Sequence, residues 1–284
     1  AYEIRLSLVG SEMCIRDRST ALTFVSFWTL LGLTLSDPER RRAVFVRSRR
    51  DWCIDLVGLT VQGVLVPILL VVPLVTCCER LWPAARGALV LPAWLSFALA
   101  FVCIDYVYYW NHRLLHTARL WPVHRVHHTA PQMDVLVTSR NTLWTSLLFI
   151  YLWANTLFSF ALRDPAPYLL GAGLTAVLDL ARHSPLSLAH FPALQHSLGL
   201  VLVLPQDHAR HHANVPDDHG NYGANLIWWD KLHGTYREAR ELPEPLGVAS
   251  SLGLGRSLFW PFEVGARRDV PCPRKTTTGT QSSS

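Results

Sequence analysis

Eight histidines fall in three tight groups: His112-Arg-Leu-Leu-His116, His124-Arg-Val-His127-His128 and His208-Ala-Arg-His211-His212. A neutral imidazole is a ligand for zinc, copper, iron or nickel. On a helix, residues three or four apart share a face, so His112 and His116 can aim at one point. In each HxxHH group the first histidine pairs with the third or fourth residue after it. The adjacent histidine points about 100° away, which suits a second ion or a bridging position. One HxxxH alone is often plain helix surface; three such groups together read as a metal centre. Eight ligands exceed what a six-coordinate ion can use, so two ions are the economical reading. His183, in Leu180-Ala-Arg-His183-Ser184, ends an apolar stretch and is a ninth candidate. His190, His196, His219 and His233 lack clustered spacing and read as surface or supporting residues. Cysteine implies no thiolate site: Cys77 and Cys78 are adjacent and no CxxC occurs.

All 13 histidines lie between His112 and His233, so separate segments must fold to one place. The 284 residues are 50% hydrophobic and only 17% charged, against about 25% charged in a soluble domain. That composition excludes disorder for most of the chain, and six cysteines are too sparse for a small disulfide-stapled module. Residues 1–18, AYEIRLSLVGSEMCIRDR, read as the translation of a sequencing adapter and are set aside from the fold, Cys14 with them.

Residues 21–35 are apolar but short of the roughly 20 that a membrane span needs. Residues 36–51 carry Arg40, Arg41, Arg42, Arg47, Arg49 and Arg50 between apolar segments. The positive-inside rule places this loop in the cytoplasm. The net charge of +5 is then topological, with no nucleic-acid partner implied. Residues 53–76 are long enough to cross, with Asp55 as their single acid and with Pro67 and Pro73 tolerated as kinks. Residues 77–87 read as an outer turn, and 88–110 as the return. Residues 143–162 and 165–180, parted by Arg163-Asp164-Pro165, form an out-and-back hairpin. The expected architecture is all-α: an integral membrane helical bundle of about four spans with a cytoplasmic histidine-rich helical cap. The expected divisions are 19–51 (hydrophobic segment and basic loop), 52–240 (the main domain) and 241–284 (a tail, disordered over 265–284). Asp105, near the cytoplasmic end of its span, is a functional carboxylate or a hydrogen-bonded interface residue.

More than the histidines carries a resemblance. Asp105-Tyr-Val-Tyr-Tyr-Trp-Asn-His112-Arg-Leu-Leu-His116, Leu120-Trp121-Pro-Val-His124-Arg-Val-His127-His128, Arg182-His183-Ser184 and Pro205-Gln-Asp-His208-Ala-Arg-His211-His212 are one part. Asn221-Tyr222-Gly223 and Trp229-Asp230-Lys231-Leu-His-Gly234-Thr235-Tyr236 complete it. Together, over roughly residues 52–240, they resemble the fatty acid hydroxylase / sterol desaturase superfamily of membrane di-iron enzymes. Two departures stand out: the basic residue of the third cluster is displaced, and the N-terminal span is incomplete.

The resemblance implies nine metal ligands, His112, His116, His124, His127, His128, His183, His208, His211 and His212, holding two iron ions, with no catalytic residue beyond the metal centre. It implies O2 as co-substrate and hydroxylation or desaturation of a C–H bond in a membrane lipid such as a fatty acid or sterol. Asp105, Asp207, Asp218, Asn221, Asn225 and Asp230 are candidates to hold the outer ring nitrogens of the ligands. Tyr222 and Trp229 are candidates to line the substrate cleft, or to serve as interface anchors. The chain carries neither an H-P-G-G haem segment nor a G-x-G-x-x-G nucleotide loop, so electrons are expected from a separate ferredoxin or cytochrome and its reductase. The alternatives are a membrane zinc-dependent hydrolase and a metal transporter. The first wants a carboxylate inside the motif, where Arg-Leu-Leu stands. The second wants ionisable residues at mid-span, and the middles of 53–76 and 143–162 have none.

Overall fold

The structure, a computed structural model, describes residues 20–214, 219–239, 242 and 245–262. The adapter-like segment 1–18, Asp218 and the tail expected to be disordered lie outside the described residues.

Among the described residues the fold is all-helical; only isolated bridges such as Leu89–Leu162 and Leu202–Leu226 replace strands. Helix α1 is Thr20–Ser36 and α2 is Pro38–Val46. Asp37 separates them, its side chain accepting from the Glu39 and Arg40 amides ahead of Pro38, a helix start in which the cap and the proline each settle an orphan donor. Ser48 caps α3, Arg49–Leu81, a 33-residue helix about 50 Å long. A π turn at Val61–Leu65 precedes the prolines, and the helix continues through Pro73. The return helix α4 is Ala93–Leu115, with its own π turn at Leu99–Cys103. These two helices are long and apolar enough to cross a bilayer. Their boundaries lie several residues from those expected, because helix ends follow caps rather than hydrophobicity.

Helices α6, Ile150–Ala161, and α7, Ala166–Arg182, form the hairpin. At 12 and 17 residues they are shorter than α3 and α4. The missing first turn of α6 has a cause: Thr145–Leu148 is a 3-10 turn, and Asn111 donates to the Leu148 carbonyl and accepts from the Ile150 amide. The hairpin tip is tied to the outer turn by Leu89 donating to the Ala161 carbonyl and Arg163 donating to that of Leu89. Ala100, Ile104, Ala154, Leu162 and Tyr168 make the core of this bundle. By contrast Val64, Leu65, Ile68, Leu69 and Val72 of α3 stand exposed, an apolar strip that no part of the described chain covers.

The basic segment is not all surface, as its topological reading expected. Arg41, Arg42 and Arg49 are exposed, but Arg47 is buried and pairs with Asp55 at 2.7 Å and with Asp134. Arg140, fully buried, pairs with Asp55 at 2.9 Å and with Asp51. Buried charges persist only in such closed networks, and removing one partner is costly. The network clamps the segment around Asp134–Arg140 onto the start of α3. Gly58 allows the closest approach there, since a Cβ on it would overlap the Ser139 carbonyl. Gly58→Ala therefore lowers the melting temperature, by about 1–3 kcal/mol of stability. Gly63→Ala, whose nearest neighbour is the Ser139 hydroxyl at 3.9 Å, leaves it unchanged.

The remaining described helices cap one end of the bundle: α5, Trp121–His128; α8, Pro192–Gly199; α9, Pro205–His212; α10, Trp228–Leu232; and α11, Leu254–Phe259.

Candidate metal centre

Nine histidines from four places in the chain meet in the cap. Their ligand atoms form two groups, each with all atoms within 4.8 Å of one another: His112, His116, His124, His128 and His211, then His127, His183, His208 and His212. Each HxxHH segment serves both groups. On α5, His124 and His128 face the first and His127 the second; on α9, His208 and His212 face the second and His211 the first. The i,i+4 pair shares a face and the intervening residue turns away, as the helical step requires. The groups are neighbours, with the His128 and His212 rings stacked at 4.4 Å.

Backbone carbonyls orient the rings. The Nδ1 of His112 lies 2.9 Å from the Tyr222 carbonyl, that of His127 3.2 Å from Arg140, that of His183 2.8 Å from Asp179, and that of His211 2.6 Å from Gly220. A carbonyl only accepts, so each of these Nδ1 atoms carries the proton and each Nε2 is a bare lone pair. Yet the Nε2 atoms of His127 and His183 face each other at 3.4 Å. The Nε2–Nε2 separations of His112–His124, His183–His208 and His208–His212 are 2.8, 3.0 and 3.2 Å. For His127 and His183, whose Nδ1 atoms both carry the proton, two lone pairs face each other and repel unless a cation lies between them. Ligands on one ion with bonds of about 2.0–2.1 Å stand about 3.0 Å apart at right angles and about 3.4 Å at the tetrahedral angle. The donor set therefore fits a metal in each group.

Electrostatics agree. Burial, and next the charge of neighbouring rings, holds His116, His124, His127, His128, His208, His211 and His212 well below the ordinary imidazole range. The rings stay neutral, the state that binds metal.

The outer candidates act differently from expectation. Among the described contacts no carboxylate or amide of Asp105, Asp207, Asn221, Asn225 or Asp230 meets a histidine ring nitrogen. Asp105 accepts from the Asn225 and Leu226 amides and the Trp229 indole. Asp207 caps α9 through the Leu204 amide, and burial pushes its carboxyl up to about 6. Asn225 donates to Thr175 and Phe101. Asn221, at φ +57°, braces the Asp207 and Arg237 carbonyls. Asp230 binds the Tyr222 and Gly223 amides at 2.8 and 2.7 Å, and so fixes the carbonyl that holds His112. A Cβ on Gly223 would sit 2.8 Å from the Leu226 carbonyl, so the turn needs glycine there. Sequence reading missed Asp179, whose carboxylate is 3.3 Å from His183 Nδ1 and pairs with Arg182. Its signal was the i,i+4 spacing to His183. His190 and His196 are exposed, His233 meets the Tyr106 hydroxyl, and His219 lies 5.5 Å ring to ring from His116.

A cavity of about 650 Å³ opens between α3, α6 and α7 and ends on His124, His127, His183 and His208. Neither Tyr222 nor Trp229 lines it. Tyr222 packs edge-on against His112, His116 and His211, and Trp229 against Tyr106.

The fatty acid hydroxylase family profile matches residues 97–235, which contain both histidine groups. This segment belongs to the fatty acid hydroxylase family. Among its relatives, the ornithine lipid hydroxylase OlsE of Rhizobium tropici is 29% identical over 193 residues, 63% of this chain and 54% of that protein. The alkylglycerol monooxygenase of Xenopus tropicalis is 27% identical over 58% of this chain and 35% of its own. The very-long-chain aldehyde decarbonylase GL1-11 of Oryza sativa subsp. indica is 31% identical over 57% and 62%. The chain thus spans about half the length of the relatives it matches. No solved structure matches it significantly.

Proposed function

We propose that this superfamily member is a membrane-embedded, oxygen-dependent di-iron enzyme that hydroxylates, or desaturates, a C–H bond of a lipid. The observation that carries the reading is the convergence of nine histidines into two groups, with the Nε2 lone pairs of His127 and His183 facing each other at 3.4 Å, beside a cavity lined by α3, α6 and α7. In this reading the first ion is held by His112, His116, His124, His128 and His211, and the second by His127, His183, His208 and His212. When bound, the iron pair supplies the two-electron reduction of O2 and the oxidant for an unactivated C–H bond. One oxygen atom enters the substrate as a hydroxyl, and the other leaves as water with two electrons and two protons from a donor. A separate ferredoxin or cytochrome with its reductase is the donor class.

The protein's own residues do the positioning. The carbonyls of Tyr222, Arg140, Asp179 and Gly220 fix four rings, so little reorganises during turnover. Tyr108 and Phe149 border the cavity beside the histidines and help exclude water. The exposed arginines Arg41, Arg42 and Arg49, beside the start of α3, support a bundle oriented with the histidine cap at the cytoplasmic face. In that bundle α3 and α4 cross, and the α6–α7 hairpin completes a four-helix set.

Purified protein reconstituted with iron, a reductase system and a lipid extract will give an oxidised lipid carrying one ¹⁸O atom from ¹⁸O2 if hydroxylating. It will give none under nitrogen. Stoichiometric zinc with oxygen-independent turnover would overturn the assignment in favour of a hydrolase.

A further inference from the structure

The cavity wall is part apolar and part polar. Val66, Val71 and Val75 of α3 and Leu169 of α7 are in its apolar part. Most of its polar groups already have partners within the protein. Gln62 donates to the Thr142 carbonyl at 2.5 Å, and Thr138 to that of Val135 at 3.0 Å. Arg182 is held by Asp179 and by the Ala224 carbonyl. The two charges close on each other and leave the wall without a free ion.

Apart from the Nδ1 atoms of His124 and His208, two atoms of cavity-lining residues stand out: the Tyr151 hydroxyl and Asn141 Oδ1 are buried with no hydrogen-bond partner. Asn141 is 8% exposed. Both belong to the histidine end. Asn141 follows Arg140, whose carbonyl orients His127. The Tyr151 ring stacks on Tyr108 at 4.8 Å, and Tyr108 lies 5.4 Å from the His112 ring. Leaving a buried polar group unpaired is costly, so a site that keeps two of them beside an apolar channel is complementary to a ligand that pairs both. Tyr151 can donate. Asn141 Oδ1 only accepts, so the ligand must bring an O–H or N–H.

We propose that the substrate is a lipid bearing a neutral hydroxyl or amide N–H, bound head-first so that Asn141 and Tyr151 hold that group at the histidines and the hydrocarbon tail lies along α3. The oxidised carbon is then within a few bonds of the polar group, not at mid-chain or the tail end. This rests on the oxygenase reading for its chemistry, but its binding claim is separable.

The test is competition for the cavity of the iron-loaded protein in nanodiscs, with a fluorescent polyene alcohol displaced by one of three probes. These are 1-hexadecanol, 1-methoxyhexadecane (which has no donor) and hexadecane. The wild type should favour hexadecanol over the methyl ether by about tenfold, the worth of one buried hydrogen bond. Asn141→Leu should bring the two probes within about threefold, and Tyr151→Phe should weaken both oxygen-bearing probes about tenfold relative to hexadecane, with iron content unchanged. Tyr151→Phe removes one oxygen atom only and keeps the ring stack, so it stays interpretable if Asn141→Leu does not fold. Equal displacement by the wild type of hexadecanol and its methyl ether, or oxygen-bearing probes no weaker relative to hexadecane in Tyr151→Phe, overturns the proposal. The preference without any oxygen-dependent product would instead sink the oxygenase reading and leave this one standing.

Discussion

His124→Ala protein retains about half the wild-type iron and loses turnover by a factor on the order of 10³ or more. His124 is central to the first group, with its Nε2 2.8 Å from that of His112 and 3.3 Å from that of His128. Removing a residue that merely supports a ligand already costs 10–100-fold, and His124 is in the proposed ligand set itself. The second group keeps its four rings, so iron is halved rather than abolished. His208→Ala mirrors the result from the other side, since His208 bridges His183 and His212 at 3.0 and 3.2 Å. His190→Ala and His196→Ala, at exposed positions, retain both irons and full turnover. Elemental analysis beside a product assay reads all four variants. Iron lost equally and completely from both ligand variants would mean one cooperative site rather than two. Wild-type iron in either would remove that histidine from the set.

The histidine arrangement was legible because helical spacing is a geometric rule: once HxxHH lies on a helix, its rings must divide between two directions. The ring-orienting groups were not legible, for an equally physical reason. All four orienting acceptors, Tyr222, Arg140, Asp179 and Gly220, act through backbone carbonyls, and a carbonyl is carried by every residue type. Reading acids as histidine partners therefore assigned Asp105 and Asp207 by type, whereas local chain geometry spends them on amide donors. Asp179 was hidden inside an apolar run whose other residues read as span. Arg47 was hidden in a run of arginines in which Arg41, Arg42 and Arg49 do face outward; only the fold brings Asp55 and Asp134 to it. Hydrophobicity also misjudged element ends, as in the 143–162 segment, where Asn111 captures the Leu148 carbonyl and the Ile150 amide and delays the helix.

Asp230→Ala lowers stability by about 2–5 kcal/mol and weakens iron at the first group while sparing the second. The carboxylate is fully buried and accepts from the Tyr222 amide, the Gly223 amide and the Thr235 hydroxyl. Burial raises its pKa and those hydrogen bonds oppose the rise, so the loop and the charge depend on each other. Alanine strands two buried backbone donors, each costing about 1–3 kcal/mol. It also frees the turn whose carbonyls, at Gly220 and Tyr222, orient His211 and His112. Both of those rings serve the first group, and no ring of the second depends on this turn among the described residues. Iron affinity should therefore fall about 10–100-fold at one ion only. Asp230→Asn, which keeps one carboxamide oxygen as acceptor, falls between wild type and alanine in both measurements. Thermal melting in detergent and iron titration separate the two effects. A variant that melts early yet binds both irons with wild-type affinity would reduce Asp230 to a loop brace and break its link to the metal centre.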